Sequence, residues 1–202
     1  MVNTSQFLIG KNLILRPITP ADTPLIVRWR NSDFVRNNFL YRGEFTEEIH
    51  RHWLETKVTT GEVMQFIIEH EGNANKFPVG SVYLRDIDKE NSSAEFGIFI
   101  GEESALGKGI GTESAKLILD FAHNKLGLHR VFLRLLADNV SAYKAYRKAG
   151  FVSEGIFRDM KLIDGKYKDI MFMSSIKPEY NGGGYNSIVK KNCSYSFCEV
   201  AA

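Results

Sequence analysis

The chain has 202 residues, a formal net charge of +2, and 44% hydrophobic and 25% charged residues, the make-up of an ordinary globular protein large enough for one domain with a sizeable core. So small a charge excludes a nucleic-acid binder that works by neutralising phosphates, and apolar runs as short as Ile98–Ile100 exclude a bilayer-crossing helix. The first residues carry no basic region followed by an apolar one, and the only cysteines, Cys193 and Cys198, are too few and too close to the C-terminus for a disulfide framework, so a cytoplasmic protein is the simplest expectation.

In chain order, Asn12–Arg16 predicts an opening strand stopped by Pro17. Thr19-Pro20-Ala21-Asp22 is a helix start, with Leu25, Ile26 and Trp29 as the apolar stripe. Thr46-Glu47-Glu48-Ile49 starts a second helix. Met64–Ile68 and Val79–Leu84 predict two strands around a polar turn, Glu71–Asn75, and Glu95–Ile100 predicts a fourth strand. A helix from about Ile110 follows, with Ala115, Ile118, Leu119 and Ala122 at helical spacing and Gly127 at its end. Val131–Leu135 is a fifth strand and Ser141–Lys148 a short helix closed by Gly150. Phe151–Phe157 and Tyr167–Ser174 form a hairpin around Asp164-Gly165.

Three consecutive strands imply antiparallel pairing, and the strand–helix–strand unit from 95 to 135 implies one parallel crossover. The expected fold is α+β (mixed α/β), with a mixed sheet and helices on both faces. Residues 1–177 form its single domain. Residues 178–202, with Gly182-Gly183-Gly184 and no sustained periodicity, are expected to be a flexible tail: an appendage, a cloning remnant or a partner-binding segment.

Between the fourth strand and the following helix lies Leu106-Gly107-Lys108-Gly109-Ile110-Gly111-Thr112. Alternate glycines at a strand-to-helix turn aim backbone amides one way beside the positive end of a helix, which suits a pyrophosphate. The spacing is not Gly-x-Gly-x-x-Gly, and no Gly-Lys-Ser/Thr ending is present, so neither dinucleotide nor phosphate-loop signature fits. Asn139 through Tyr143 and Tyr146 to Gly150-Phe151 follows further on. With these three parts in order, residues 12–177 resemble the GNAT superfamily of acetyl-CoA-dependent N-acetyltransferases. Leu13–Pro17 and the Glu154–Tyr167 segment look most like its ribosomal-protein N-terminal and polyamine branch. Trp29-Arg30-Asn31 with Val35-Arg36 looks like its branch for amino sugars linked to nucleotides.

The resemblance implies a mostly antiparallel sheet of six to seven strands, splayed between the fourth and fifth to make the cofactor slot. Acetyl-CoA would be the co-substrate and no metal would take part. Amides of Leu106, Gly107, Lys108, Gly109, Ile110, Gly111 and Thr112 would hold the pyrophosphate; Leu106 stands where the family usually has Gln or Arg. Ile98, Phe99 and Ile100 would run along the pantetheine, with a backbone amide there polarising the thioester carbonyl, and Asn139 would touch the pantetheine from the next strand end. Acetyl transfer to an amine needs an ammonium proton removed and a leaving thiolate protonated. Glu95 matches the position of the base, acting directly or through water, and Tyr146 that of the acid. With no cysteine before the tail, direct attack in a ternary complex is expected. Each residue has a structural alternative: Glu95 a solvated strand-end carboxylate, Tyr146 a core aromatic. The histidines lack metal spacing.

Trp29, Arg30 and Arg36 are expected at the acceptor side, Arg36 binding a phosphate or carboxylate. The expected acceptor is a small primary amine such as an amino sugar nucleotide. The alternatives are a protein N-terminal amine or a polyamine, the latter needing a carboxylate-lined cleft that Glu44, Glu47 and Glu48 could supply. An alternative of another class is a non-catalytic acyl-CoA-binding regulatory module, which needs neither Glu95 nor Tyr146. Exposed C-terminal strand edges allow a homodimer.

Overall fold

A computed structural model of the chain describes residues 7–71 and 76–177. Part of the expected turn at 71–75, and the tail from 178 with both cysteines, lie outside the described residues. The strands are β1 (Leu8–Ile9), β2 (Leu13–Pro17), β3 (Met64–Glu71), β4 (Lys76–Asp88), β5 (Ser93–Ile100), β6 (Arg130–Leu136), β7 (Val152–Ile163) and β8 (Lys166–Ile176). The helices are α1 (Thr23–Asn31), α2 (Asp33–Arg36), α3 (Glu47–Trp53), α4 (Ile110–Asp120) and α5 (Val140–Ala149).

Among the described residues the eight strands form one sheet in the order β1-β2-β3-β4-β5-β6-β8-β7. Neighbours are antiparallel except β5 and β6. The sequence predicts seven of these strands. The eighth is β1, which pairs Leu8 with Leu15 and Ile9 with Ile14 and is too short to show a period of two.

Strand alternation divides the core. Phe66, Ile68, Val82, Leu84, Phe96 and Leu133 face α4, whose Ala115, Ile118 and Leu119 pack on them. Ile67 and Phe99 face the other way, against Ile26 and Trp29 of α1, Val35 of α2 and Leu54 just after α3. Burying a side chain of this size contributes about 1.5–3 kcal/mol, so each layer holds its helices firmly against the sheet.

Local chemistry sets the helix ends around the centre of the sheet. The Asn139 side chain accepts the Ala142 amide (3.1 Å) to cap α5, and Gly150 closes it at φ 115°. Thr46 accepts the Ile49 amide to start α3. The β7–β8 turn puts Asp164 and Gly165 at φ 49° and 74°, the left-handed pair that a tight hairpin requires.

Candidate active site

β5 and β6 pair over three residues only: Ser93 with Arg130, Ala94 with Val131 and Glu95 with Phe132. Beyond Glu95 they part. Residues 96–100 keep their bonds to β4 and residues 133–136 theirs to β8, so the facing edges of both strands lose their partners. The gap opens into a cavity of about 1090 Å³ that runs through the sheet from the α4–α5 side to the α1–α3 side.

On the α4 side the cavity meets the glycine turn. Gly107 and Gly109 adopt φ 73° and 79°, a region that strains residues bearing a Cβ. Gly109 is the N-cap of α4 and supplies no side chain, so the first-turn amides of Ile110, Gly111 and Thr112 have no intrahelical acceptor. Gly111 has an ordinary helical conformation, and a Cβ built on it, as on Gly107 or Gly109, would meet no atom within 4 Å. Space, orphan amides and a helix N-terminus therefore coincide, which fits a pyrophosphate. Leu106 lines the same wall, whereas the exposed Lys108 side chain does not.

The strand edge completes that half. Ile98 and Ile100 pack toward the α4 core, while Phe99 turns to α1, edge-on to Trp29 (6.1 Å between ring centroids) and Phe39 (5.7 Å). Tyr146 of α5 stands across the gap, held edge-on by Phe96 and Phe151, each 5.9 Å away. Burial raises its hydroxyl pKa, with a smaller contribution from the Tyr83 phenol, so the group stays protonated and can donate.

On the α1 side the floor is the sheet itself. Tyr83 lies opposite Gly97, where any Cβ would fall 2.2 Å from its Cζ, so glycine lets the ring cross the strand. Arg85 lies opposite Glu95. The Glu95 carboxylate is buried and takes Arg134 Nε on Oε1 (3.1 Å), Arg134 Nη2 on Oε2 (2.9 Å) and Arg85 Nη2 on Oε1 (2.9 Å). A carboxylate has about four acceptor directions, so one remains, at Oε2. His50 of α3 joins this wall, with Nδ1 on Thr23 Oγ1 (2.9 Å) and Nε2 buried with no hydrogen-bond partner among the described residues. Burial pushes its pKa down to about 4, slightly offset by Asp22, so the ring is neutral at neutral pH. Trp53 donates to Gln65, which donates to Ser81.

Of the sequence-derived set, Glu95, Ile98, Phe99, Ile100, Leu106, Gly107, Gly109, Ile110, Gly111, Thr112, Asn139, Tyr146 and Arg30 all line this one cavity. Trp29 does not: it is in the core, with Nε1 on Glu102 (2.8 Å) and its ring against Gly101. Arg36 also lies outside, donating to the Arg42 carbonyl (2.8 Å) and shaping the loop before α3. Asn139 does two structural jobs, capping α5 and donating to Asn38 Oδ1 (2.9 Å) across the cavity mouth. Among the described residues there is no group of histidine, cysteine and carboxylate side chains suited to a metal, and no helix long and apolar enough to cross a membrane.

The family model described as an acetyltransferase (GNAT) domain matches residues 12–152. The chain belongs to the GNAT acetyltransferase family. A spermidine N(1)-acetyltransferase of Vibrio cholerae is 33% identical over 116 residues, 57% of this chain and 65%, just under two thirds, of that protein. The "Probable N-acetyltransferase YjcK" of Bacillus subtilis is 27% identical over 179 residues, 85% of this chain and 98% of its own. The solved structure of the Vibrio cholerae spermidine N-acetyltransferase in complex with CoA and spermine superposes with a TM-score of 0.76 at 25% identity, covering 82% of this chain and 96% of that one.

Sequence reasoning missed Tyr83, Arg85, Arg134, Gln65 and His50. Their signal is positional: a tyrosine opposite a glycine and an arginine opposite a glutamate mean something only once strand register is known. Arg134 alone was detectable, as a charge inside the apolar run of β6.

Proposed function

We propose that the protein transfers the acetyl group of acetyl-CoA to a primary amine held on the α1 side of the cavity, by direct attack in a ternary complex. The observation that carries this is the single cavity joining the glycine turn, the free edge of β5, Tyr146 and Glu95 through the gap in the sheet. Amides of 106–112 hold the pyrophosphate, and the unpaired edge at Ile98–Ile100 lies along the pantetheine. The amine nitrogen bonds to the carbonyl carbon as the carbon–sulfur bond breaks. Glu95 takes the ammonium proton through a water at its remaining Oε2 direction, since its other acceptor directions are filled by arginines. The Tyr146 hydroxyl protonates the departing sulfur, and the second proton that the nitrogen sheds as the amide forms restores the phenol.

The acceptor in this reading is a small molecule such as an amino sugar nucleotide, and the compartment is the cytoplasm. A second reading, a polyamine acceptor, is favoured by the names of the Vibrio cholerae relatives. The cavity lends it little: Glu44, Glu47 and Glu48 are not among its lining residues, and Glu47 is paired with Arg51. Thiol release from acetyl-CoA with a panel of amines tests the proposal. Amine-dependent release that falls in both Glu95→Gln and Tyr146→Phe is expected. Tight cofactor binding without release for any amine would instead mark a non-catalytic acyl-CoA-binding module.

A further inference from the structure

Arg30 is the exception among the arginines of this region. Arg85 and Arg134 share Glu95, Arg42 pairs with Asp164, and Arg16 pairs with Asp22 and Glu69. Arg30 has no ion-pair or hydrogen-bond partner among the described residues, and its Nη1 is buried unsatisfied. Its guanidinium carbon sits 3.4 Å from the Phe39 ring centroid and 5.1 Å from that of Phe45, which fix the planar group at the cavity wall. Phenols of Tyr83 and Tyr41 flank it, and neither balances its charge. The acceptor side thus presents Arg30, Arg85 and Arg134 against Glu95 alone, which is the only carboxylate lining the cavity among the described residues. Ring stacking tolerates a half-buried cation but does not neutralise it, so the charge is left for a ligand to pair.

We propose that the acceptor amine also carries a carboxylate or phosphate, and that Arg30 grips that group. This rests on the acetyl-transfer reading above. The stacked guanidinium offers an oriented fork of donors to an oxyanion. A polyamine brings only further positive charge to the same wall, so Arg30 separates this chain's acceptor from that of the spermidine relatives.

The test measures equilibrium binding to the CoA-loaded full chain, so it does not depend on turnover. Two matched pairs serve as probes, glucosamine 6-phosphate against glucosamine and 4-aminobutyrate against butylamine, with spermidine as the polycation. The anionic member of at least one pair is expected to bind about tenfold or more tightly than its neutral partner. Which pair shows the preference distinguishes phosphate from carboxylate. Arg30→Gln should erase the preference and Arg30→Lys keep part of it, with CoA affinity unchanged in both. Equal binding within each pair, no binding by either pair, tighter binding of spermidine, or a preference that survives Arg30→Gln would overturn the proposal. Anion-selective binding without thiol release would leave the Arg30 site standing and remove the acetyl-transfer reading. Turnover with no anion preference would do the reverse.

Discussion

Tyr146 and His50 both carry perturbed protons at the cavity, and both shifts have consequences that can be read against pH. Burial raises the Tyr146 hydroxyl pKa, so it remains protonated through the pH range in which an amine acceptor loses its proton. Turnover should therefore not fall between about pH 8 and about pH 9.5, below even the ordinary tyrosine pKa of ~10. A fall there that disappears in Tyr146→Phe would contradict the assignment. Tyr146→Phe itself should lower kcat by about 10²-fold or more while leaving acetyl-CoA affinity unchanged, as measured by thiol release and calorimetry. His50 acts on stability instead. Its folded pKa is about 4, against ~6.5 in the unfolded chain. Between those values the unfolded state holds more protons, so stability drops as the pH falls, by roughly 3 kcal/mol over the whole window. Burial alone would raise the nearby Asp22 carboxyl, but Arg16 and Thr19 lower it on balance, so its acid loss has the same sign. Urea unfolding from pH 6.5 to pH 4 should show a shallower decline in His50→Asn than in the parent chain. Equal declines would remove the role of His50.

The glycine turn behaves as one element in which similar residues do different work. Gly109 needs its left-handed backbone, so Gly109→Ala should lower thermal stability by about 1–2 kcal/mol as well as weaken CoA binding. Gly111 needs neither unusual φ nor room within the protein. Gly111→Ala should therefore melt like the parent but bind CoA more weakly, because its methyl group fills the space beside the orphan amides. A Gly111→Ala chain with unchanged affinity would show that nothing approaches closely there. Elements of this kind were legible in the sequence because their signals are local. Gly150 closes α5, Thr46 starts α3, and Asp164-Gly165 makes the β7–β8 turn, each through its own backbone or side chain. Two elements were illegible for the same reason: β1 has two residues and α2 four, too few for any period to show.

At the scale of the whole molecule, the cavity exists because one strand pair separates after three residues, leaving a route through an otherwise continuous sheet. The half proposed to hold the cofactor was readable, since its residues lie close together at 98–112 and 139–146. Of the proposed acceptor half, the sequence singled out Glu95 and Arg30 and missed the rest. Tyr83, Arg85 and Arg134 meet Glu95 only through strand register, and His50 joins the same cavity wall from α3, of which the sequence marked only the start at Thr46-Glu47-Glu48-Ile49. For the same reason Arg36 looked as suitable as Arg30 in the sequence, yet α2 turns it outward to the Arg42 carbonyl. The most direct measurement is calorimetric titration of the full chain with acetyl-CoA and, separately, with S-acetylpantetheine, which lacks the pyrophosphate. Saturable one-site binding of acetyl-CoA, at least about tenfold tighter than that of the truncated thioester, is the predicted result. No binding of acetyl-CoA, or equal affinity for the two, would contradict the grip of the 106–112 turn.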